Sequence, residues 1–366
     1  MANKKRILIS GGGTGGHIFP ALSIADVCVK RFDAEILFVG AKGRMEMERV
    51  PAAGYKIIGL EVAGFNRKNP FKNVSVLYKL FKGIRTARKI VKDFKPDIAV
   101  GVGGYASGPT LKAAQKAGVP TLLQEQNSYP GVTNKLLAKK ALSICVAYKD
   151  MEKFFPVEKI VETGNPIRKT LTSERVEPGE ARKKFGLDPE KPTLLVIGGS
   201  LGALSLNEAM EKSVGKLAAD GVQVIWQTGK SFIGRAEKAA EGLEGVKVAQ
   251  FLSDMPAAYA AATLVVSRAG AGTISELELL GKSCILVPSP NVAEDHQTKN
   301  AKALSTRGAA VLVTDAECRE KLYDTVSRYI DDEAVLAKMS EEILKLAMTD
   351  SDEKIADEIE KIFLKA

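Results

Sequence analysis

At 366 residues the chain has length for about two domains of ordinary size, each able to bury its own core. It is 45% hydrophobic and 27% charged with a net charge of +9, a globular composition that argues against a disordered or fibrous chain. Its longest uncharged run, residues 7–25, is interrupted by glycines and Pro20 and carries Ser, Thr and His, which argues against a membrane span or signal sequence and for a cytoplasmic chain.

The first predicted strand, Arg6–Ser10, runs into Gly11-Gly12-Gly13-Thr14-Gly15-Gly16-His17, and a helical stretch follows from Ala21 to Val29. Glycines let a backbone approach a ligand closely, and the unpaired N–H groups of the next helix favour an anion, so this wiring reads as a phosphate site. The spacing Gly11-x-Gly13-x-x-Gly16 also satisfies the dinucleotide fingerprint. The second strand, Glu35–Val39, ends without the acid that would hold a ribose, and His17 stands where a Walker loop needs Lys. Strands at Lys56–Leu60, Ile98–Val102, Pro120–Leu123 and Ser143–Ala147 continue the first half. Between the third and fourth, Phe65 to Lys95 carries ten Lys/Arg against Asp93 alone. That excess suits an anionic membrane or a nucleic acid, or is a solvated helix face; no aromatic-rich RNA motif accompanies it. Gly103-Gly104-Tyr105 and Gln124-Glu125-Gln126-Asn127 follow two strand ends, where an active site should gather. Thr163-Gly164-Asn165-Pro166-Ile167-Arg168 breaks the rhythm and reads as an inter-domain hinge.

The second half repeats the pattern with strands at Thr193–Ile197, Val222–Trp226, Val246–Phe251, Thr263–Ser267, Ser283–Val287 and Ala309–Val313. A second glycine loop, Gly198-Gly199-Ser200-Leu201-Gly202-Ala203, follows its first strand, so two similar domains are expected around one phosphorylated ligand system. Ser267 to Glu276 offers further anion-directed N–H groups, although Thr273-x-x-Glu276 equally fits a capping box. Gln297 and Asn300 lie three apart on a helix, a spacing that suits sugar hydroxyls. The chain has two histidines. His17, at the mouth of the first loop, is a candidate base or a local hydrogen-bonding group; His296 reads as helix support. Cys28, Cys145, Cys284 and Cys318 are far apart with no C-x-x-C pair, which suggests reduced thiols and neither disulfides nor zinc. Asp350-Ser351-Asp352 reads as linker rather than a metal motif, and Glu353 to Lys365 as a closing amphipathic helix. Strands alternating with helices predict doubly wound parallel sheets.

Taken in order, GGGTGGHIFPALSIA at 11–25, GGYASGP at 103–109, EQN at 125–127, GNPIR at 164–168, GGSLGA at 198–203, SRAGAGTISEL at 267–277 and EDHQTKNA at 294–301 resemble the MurG family over essentially the whole chain. Those transferases add N-acetylglucosamine from UDP-GlcNAc to undecaprenyl-pyrophosphoryl-MurNAc-pentapeptide (lipid I, giving lipid II) in peptidoglycan synthesis. The resemblance implies a GT-B glycosyltransferase fold, two doubly wound Rossmann-like domains with a cleft between them. Residues 1–164 would take the lipid acceptor, 165–345 would take UDP-GlcNAc, and a helix at about 346–366 would pack back on the first domain.

On matching positions the resemblance implies that Thr14, Gly15, Gly16 and Gly104 face the acceptor, that Asn127 touches the transferred sugar, and that Tyr105 and Asn134 are substrate-binding. Arg168 and Ser200 would meet the UDP phosphates, the Leu252 backbone the uracil, and Ala271, Gly272 and Thr273 would line the donor site. Glu276 would hold the ribose, and Gln297 with Asn300 the GlcNAc hydroxyls. His17 is the implied base, with Glu125 as the other candidate or as an acceptor-orienting group. Inversion at the anomeric carbon, no metal and no cofactor are expected. The basic stretch would meet the anionic inner leaflet at the cytoplasmic face of the membrane, with Phe65 and Phe71 dipping into lipid, while Leu77, Leu80, Phe81, Ile84, Val91 and Phe94 form a core stripe. Cell-wall or division proteins would be further partners. A UDP-GlcNAc epimerase of the same architecture and a non-enzymatic basic membrane-binding protein are the alternatives.

Overall fold

The structure, a computed structural model, describes residues 4–62, 73–167, 171, 176–199, 201–292 and 295–365. The chain divides into two compact units, Met1–Arg168 with Met348–Ala366, and Lys169–Ala347.

In the first unit β1 (Arg6–Ser10), β2 (Glu35–Ala41), β3 (Lys56–Leu60), β4 (Ile98–Gly101), β5 (Thr121–Glu125), β6 (Ser143–Val146) and β7 (Ile160–Glu162) form a parallel sheet in the order 3-2-1-4-5-6-7. Both faces are covered, so side chains alternate between two cores: Ile7 and Ile9 enter one, Leu8 the other. Each buried Ile or Leu contributes about 1.5–3 kcal/mol by leaving water. β7 escaped the sequence reading because three residues on a sheet edge carry too little periodicity to stand out.

Helix α1 (Gly15–Phe32) starts in the glycine run itself and continues through Pro20, well before the expected Ala21. Helices α2 (Glu46–Ala52), α3 (Asn73–Phe94), α4 (Ser107–Lys116) and α5 (Val132–Ala138) complete the crossovers. In α3, Ala87, Ile90 and Val91 are buried, whereas Tyr78 and Phe81 are 69% and 70% exposed. The expected stripe therefore holds only toward the end of the helix, and Phe81 is not core. Phe65 and Phe71 lie outside the described residues, as does the Leu77 side chain.

The closing helix, Ser351–Lys365, buries Ile355, Ala356, Ile359 and Ile362 in the core that holds Ile24 and Cys28. Asp350-Ser351-Asp352 is not a loose linker: Ser351 and Asp352 are buried at the start of this helix, and a Cβ on Gly164 would run into Ser351 and Met348.

The second unit repeats the topology with β8 (Thr193–Ile197), β9 (Gln223–Gln227), β10 (Val246–Ala249), β11 (Leu264–Ser267), β12 (Cys284–Leu286) and β13 (Val311–Leu312), parallel in the order 10-9-8-11-12-13. In each sheet the order reverses beside the first strand, and there each glycine loop sits. Ligands of doubly wound sheets bind at such switch points, beyond the carboxyl ends of the strands.

Candidate active site

The loop after β1 contains glycines of two kinds. A Cβ on Gly11 would overlap Val102, one on Gly12 the Glu46 carboxyl, and one on Gly104 the Gly12 carbonyl, so these three are small because protein packs against them. Gly13 meets nothing within 4 Å and Gly16 only Thr14 at 3.8 Å, so their surfaces are open. The Gly13 N–H is already donated to Glu46 Oε2 (2.8 Å). For an anion there remain the N–H groups that open α1, since the bonds to the Thr14 carbonyl begin only with His17 and Ile18. The first turn of α1 carries no acid.

His17 Nδ1 lies 3.1 Å from Thr14 Oγ1. The other ring nitrogen packs over Gly103, where a Cβ would stand 3.0 Å from Nε2 and 4.0 Å from Asn134 Nδ2. If Nδ1–H donates to Thr14, Nε2 holds the lone pair, the tautomer that a base needs. Tyr105, next in the chain after Gly103-Gly104, is 54% exposed.

Glu125 is buried at the end of β5. Its Oε1 accepts from the Asn127 backbone (3.1 Å) and Asn127 Nδ2 (3.2 Å), its Oε2 from Gly131 N (3.1 Å) and Asn134 Nδ2 (2.9 Å). Burial raises its carboxyl above the ordinary range, and the donors from Asn127, Asn134 and Gly131 oppose that rise without cancelling it. Four donors on one carboxylate make it the hub of the loop from 126 to 131. Asn134 spends its amide hydrogens on Glu125 and the Gln124 carbonyl, and its buried Oδ1 has no partner among the described residues. Gln124, Gln126 and Asn165 interlock beside it: Gln124 Nε2 donates to Asn165 Oδ1 (3.0 Å) and Asn165 Nδ2 to the Gln126 carbonyl (3.0 Å).

In the second unit Gly202 is pressed against the Thr228 backbone and Gly229 against Leu201, whereas Gly199, Gly270 and Gly272 would meet nothing within 4 Å. The helix Ala271–Leu280 begins after Gly270 with no side-chain cap and no acid in its first turn. The N–H groups of Ala271, Gly272 and Thr273 therefore open an anion-favouring end. This start overturns the capping-box reading, because Thr273 is inside the helix and Glu276 stands a turn further on. Glu276 instead accepts from Tyr259 OH (2.8 Å). Leu252 is buried in the loop after β10, with no backbone hydrogen bond among the described residues.

Gln297 and Asn300 share the helix His296–Ser305 but do different things. Gln297 Oε1 accepts from Ser289 N (2.9 Å), while Asn300 is fully buried with Nδ2 3.4 Å from the Ala269 carbonyl. Asn300 thus ties its helix to the loop before Gly270. His296 is the first helical residue, preceded by Asp295 in the left-handed region. Arg168 and Ser200 lie outside the described residues.

Three groups were missed as site supports. Glu46 lies in a charged stretch with no motif. Arg268 sits inside a glycine-rich loop motif, yet its guanidinium donates to the Val287 and Pro288 carbonyls, Asp315 (2.6 Å) and Ser205 Oγ, tying together the loops after β11 and β12. Asn207 accepts from Trp226 Nε1 and donates to the Thr228 carbonyl. Fixed side chains of this kind are visible in sequence only as unexplained polar residues. Among the described residues no three His, Cys, Asp or Glu side chains converge as metal ligands.

Residues 7–146 match the glycosyltransferase family 28 N-terminal domain and residues 193–358 the C-terminal domain of the same family. The chain is 59% identical to a UDP-N-acetylglucosamine–N-acetylmuramyl-(pentapeptide) pyrophosphoryl-undecaprenol N-acetylglucosamine transferase of Phocaeicola vulgatus, covering 99% of this chain and 97% of that protein. It is 57% identical to the protein of that name from Bacteroides thetaiotaomicron, with 99% of each covered. Among solved structures, MurG of Acinetobacter baumannii is similar over 98% of this chain and 99% of its own, with a TM-score of 0.76 and 27% identity. A UDP-N-acetylglucosamine 2-epimerase from Listeria monocytogenes, described as putative, has a TM-score of 0.71 at 12% identity, covering 100% and 98%, a likeness of fold alone.

Proposed function

The chain belongs to glycosyltransferase family 28, with the GT-B fold of its MurG members, and from that premise we propose how its two units divide the chemistry. It transfers N-acetylglucosamine from UDP-GlcNAc to lipid I and so makes lipid II, a step of peptidoglycan synthesis. Full-length identity to such transferases carries this conclusion against the epimerase and non-enzymatic alternatives.

In our reading the first unit holds the acceptor and the second the nucleotide sugar. His17 Nε2 takes the proton from the acceptor's C4 hydroxyl as that oxygen attacks the anomeric carbon. The bond from that carbon to the UDP phosphate oxygen breaks on the opposite face, and the configuration inverts. The departing UDP gains negative charge, which the N–H groups at Ala271-Gly272-Thr273 and the Gly199 backbone stabilise in this reading, with Arg168 and Ser200 as further phosphate ligands. Glu276, already fixed by Tyr259, takes the ribose hydroxyls, and the Leu252 backbone reads the uracil. Gln297 takes the GlcNAc hydroxyls, with Asn300 behind it. Thr14, Gly15, Gly16, Gly104 and Tyr105 receive the acceptor, and Asn127 and Asn134, aligned by Glu125, lie by the transferred sugar. Glu125, with four donors already on it, orients rather than abstracts.

The acceptor's lipid chain puts it at a membrane, and exposed Tyr78, Lys79, Phe81 and Arg85 on α3 support a peripheral contact there. Lys82 in the same stretch is shared with Glu61 (2.9 Å). Among the described residues no helix is long and apolar enough to cross a membrane. The anionic inner leaflet at the cytoplasmic face is the surface we assign to this patch. Partnership with cell-wall or division proteins stays an extension of the family reading.

The test is UDP release from UDP-GlcNAc with and without a lipid-linked MurNAc acceptor. Acceptor-dependent release with formation of a disaccharide is expected. Epimer formation without acceptor would overturn the transferase reading.

A further inference from the structure

Glu46 is the first residue of α2, away from every recognised motif, and only 1% exposed. Its two carboxylate oxygens are divided between two backbone donors: Oε2 accepts from Gly13 N (2.8 Å) and Oε1 from Ala41 N (2.9 Å). The carboxylate therefore bridges the end of β2 to the glycine loop after β1. Its surroundings are shaped to admit it. A Cβ on Gly12 would overlap the carboxyl, and one on Gly40 would stand 2.5 Å from Glu46 Cγ. Gly12 and Gly13 have φ of +140° and +90°, a path that glycine takes and that a residue with a side chain would resist. On its other side the same turn abuts Gly104, and Thr14, the next residue along, meets His17 Nδ1.

We propose that Glu46 is a positioning residue for the acceptor half of the reaction, holding the turn at Gly12 and Gly13 so that Thr14 and His17 stand in register with the loop at Gly103 and Gly104. The inference rests on the transferase reading above and names a residue behind the site rather than in it. A buried carboxylate shared by two N–H groups is a rigid tie, because losing either oxygen leaves a buried donor without a partner. Its action reaches the reacting atoms only through the loop. A displacement of about 1 Å at that distance can lower turnover by about 10²-fold.

Glu46→Gln keeps the shape but offers one acceptor in place of two, and Glu46→Asp keeps the charge but is one methylene short of spanning both donors. In each variant we expect kcat on a lipid-linked acceptor to fall about 10–100-fold, the acidic limb of its pH profile to move, and the KM for UDP-GlcNAc to change less than about twofold. Hydrogen exchange at the Gly13 amide reads the tie without catalysis: protected in the wild type, it should exchange faster in both variants. Faster Gly13 exchange with wild-type acceptor kinetics and pH profile would overturn the proposal. So would a fall in kcat matched by an equal loss of UDP binding, which would report general unfolding. A wild type with a protected Gly13 amide and no acceptor-dependent UDP release would overturn the transferase reading and this inference with it.

Discussion

At the scale of single residues, chemistry and support are separable by what each side chain already touches. His17 has one ring nitrogen on Thr14 and the other over a glycine, so His17→Ala should lower turnover by about 10²–10⁴-fold while UDP binds as before. A variant with wild-type turnover at every pH would pass the role elsewhere. Glu125→Gln should behave differently, because its new NH2 group would face donors from the loop. It should lose stability by about 1–3 kcal/mol together with activity, measured by urea unfolding beside kinetics. Unchanged stability with a lost acidic limb would make Glu125 the base. Replacing Glu276 by Ala removes the proposed ribose contact and leaves Tyr259 OH without its carboxylate, so UDP-GlcNAc should bind more weakly by about 1–3 kcal/mol by calorimetry.

At the scale of elements, the closing helix and α1 are joined by both charge and packing. Arg31 reaches Glu353, Asp357 and Glu360, a stripe of acids at helical spacing, at 3.4, 2.6 and 2.7 Å. Those acids are partly exposed, so Arg31→Ala should cost about 1 kcal/mol or less, and less still in high salt. Ile359→Ala deletes fully buried surface in the same interface and should cost about 2–5 kcal/mol in urea unfolding. In the second unit burial pushes the Glu278 carboxyl up to about 8. Its folded pKa then exceeds the unfolded one, so the native state holds the extra proton between about pH 4.5 and 8 and stability falls as pH rises through that window. Glu278→Gln should flatten this decline in a series of melting temperatures against pH; an unchanged slope would remove Glu278 as its cause.

At the scale of the whole molecule, the charge excess between 65 and 95 should appear as reversible, salt-sensitive attachment to anionic vesicles. Each cation near such a surface contributes about 1 kcal/mol. Reversing Lys68, Lys72, Lys79 and Lys82 to Glu should abolish cosedimentation while leaving transfer to a short-chain soluble acceptor nearly intact. Equal binding of the wild type to neutral vesicles would make the patch a solubilising surface. The four cysteines are all buried, and burial pushes the Cys28 thiol up to about 12 and Cys318 up to about 11. Thiol reagents should therefore modify the native protein slowly and the urea-unfolded chain rapidly.

The sequence by itself determined the layered architecture, because strand and helix periods, glycines at strand ends and the order of motifs are local signals that survive without coordinates. It also marked His17, Glu125, Glu276 and Gln297 as polar residues beside loops. It did not distinguish a glycine kept small by a neighbouring backbone, such as Gly12 or Gly202, from one open to a ligand, such as Gly13 or Gly199. Nor did it reveal that Glu276 is fixed by Tyr259, that Asn300 turns inward to Ala269, that Phe81 leaves the core, or that Glu46 ties the first loop. Each of those facts depends on a contact between residues distant in sequence or on which way a side chain turns, and only the tertiary structure decides that.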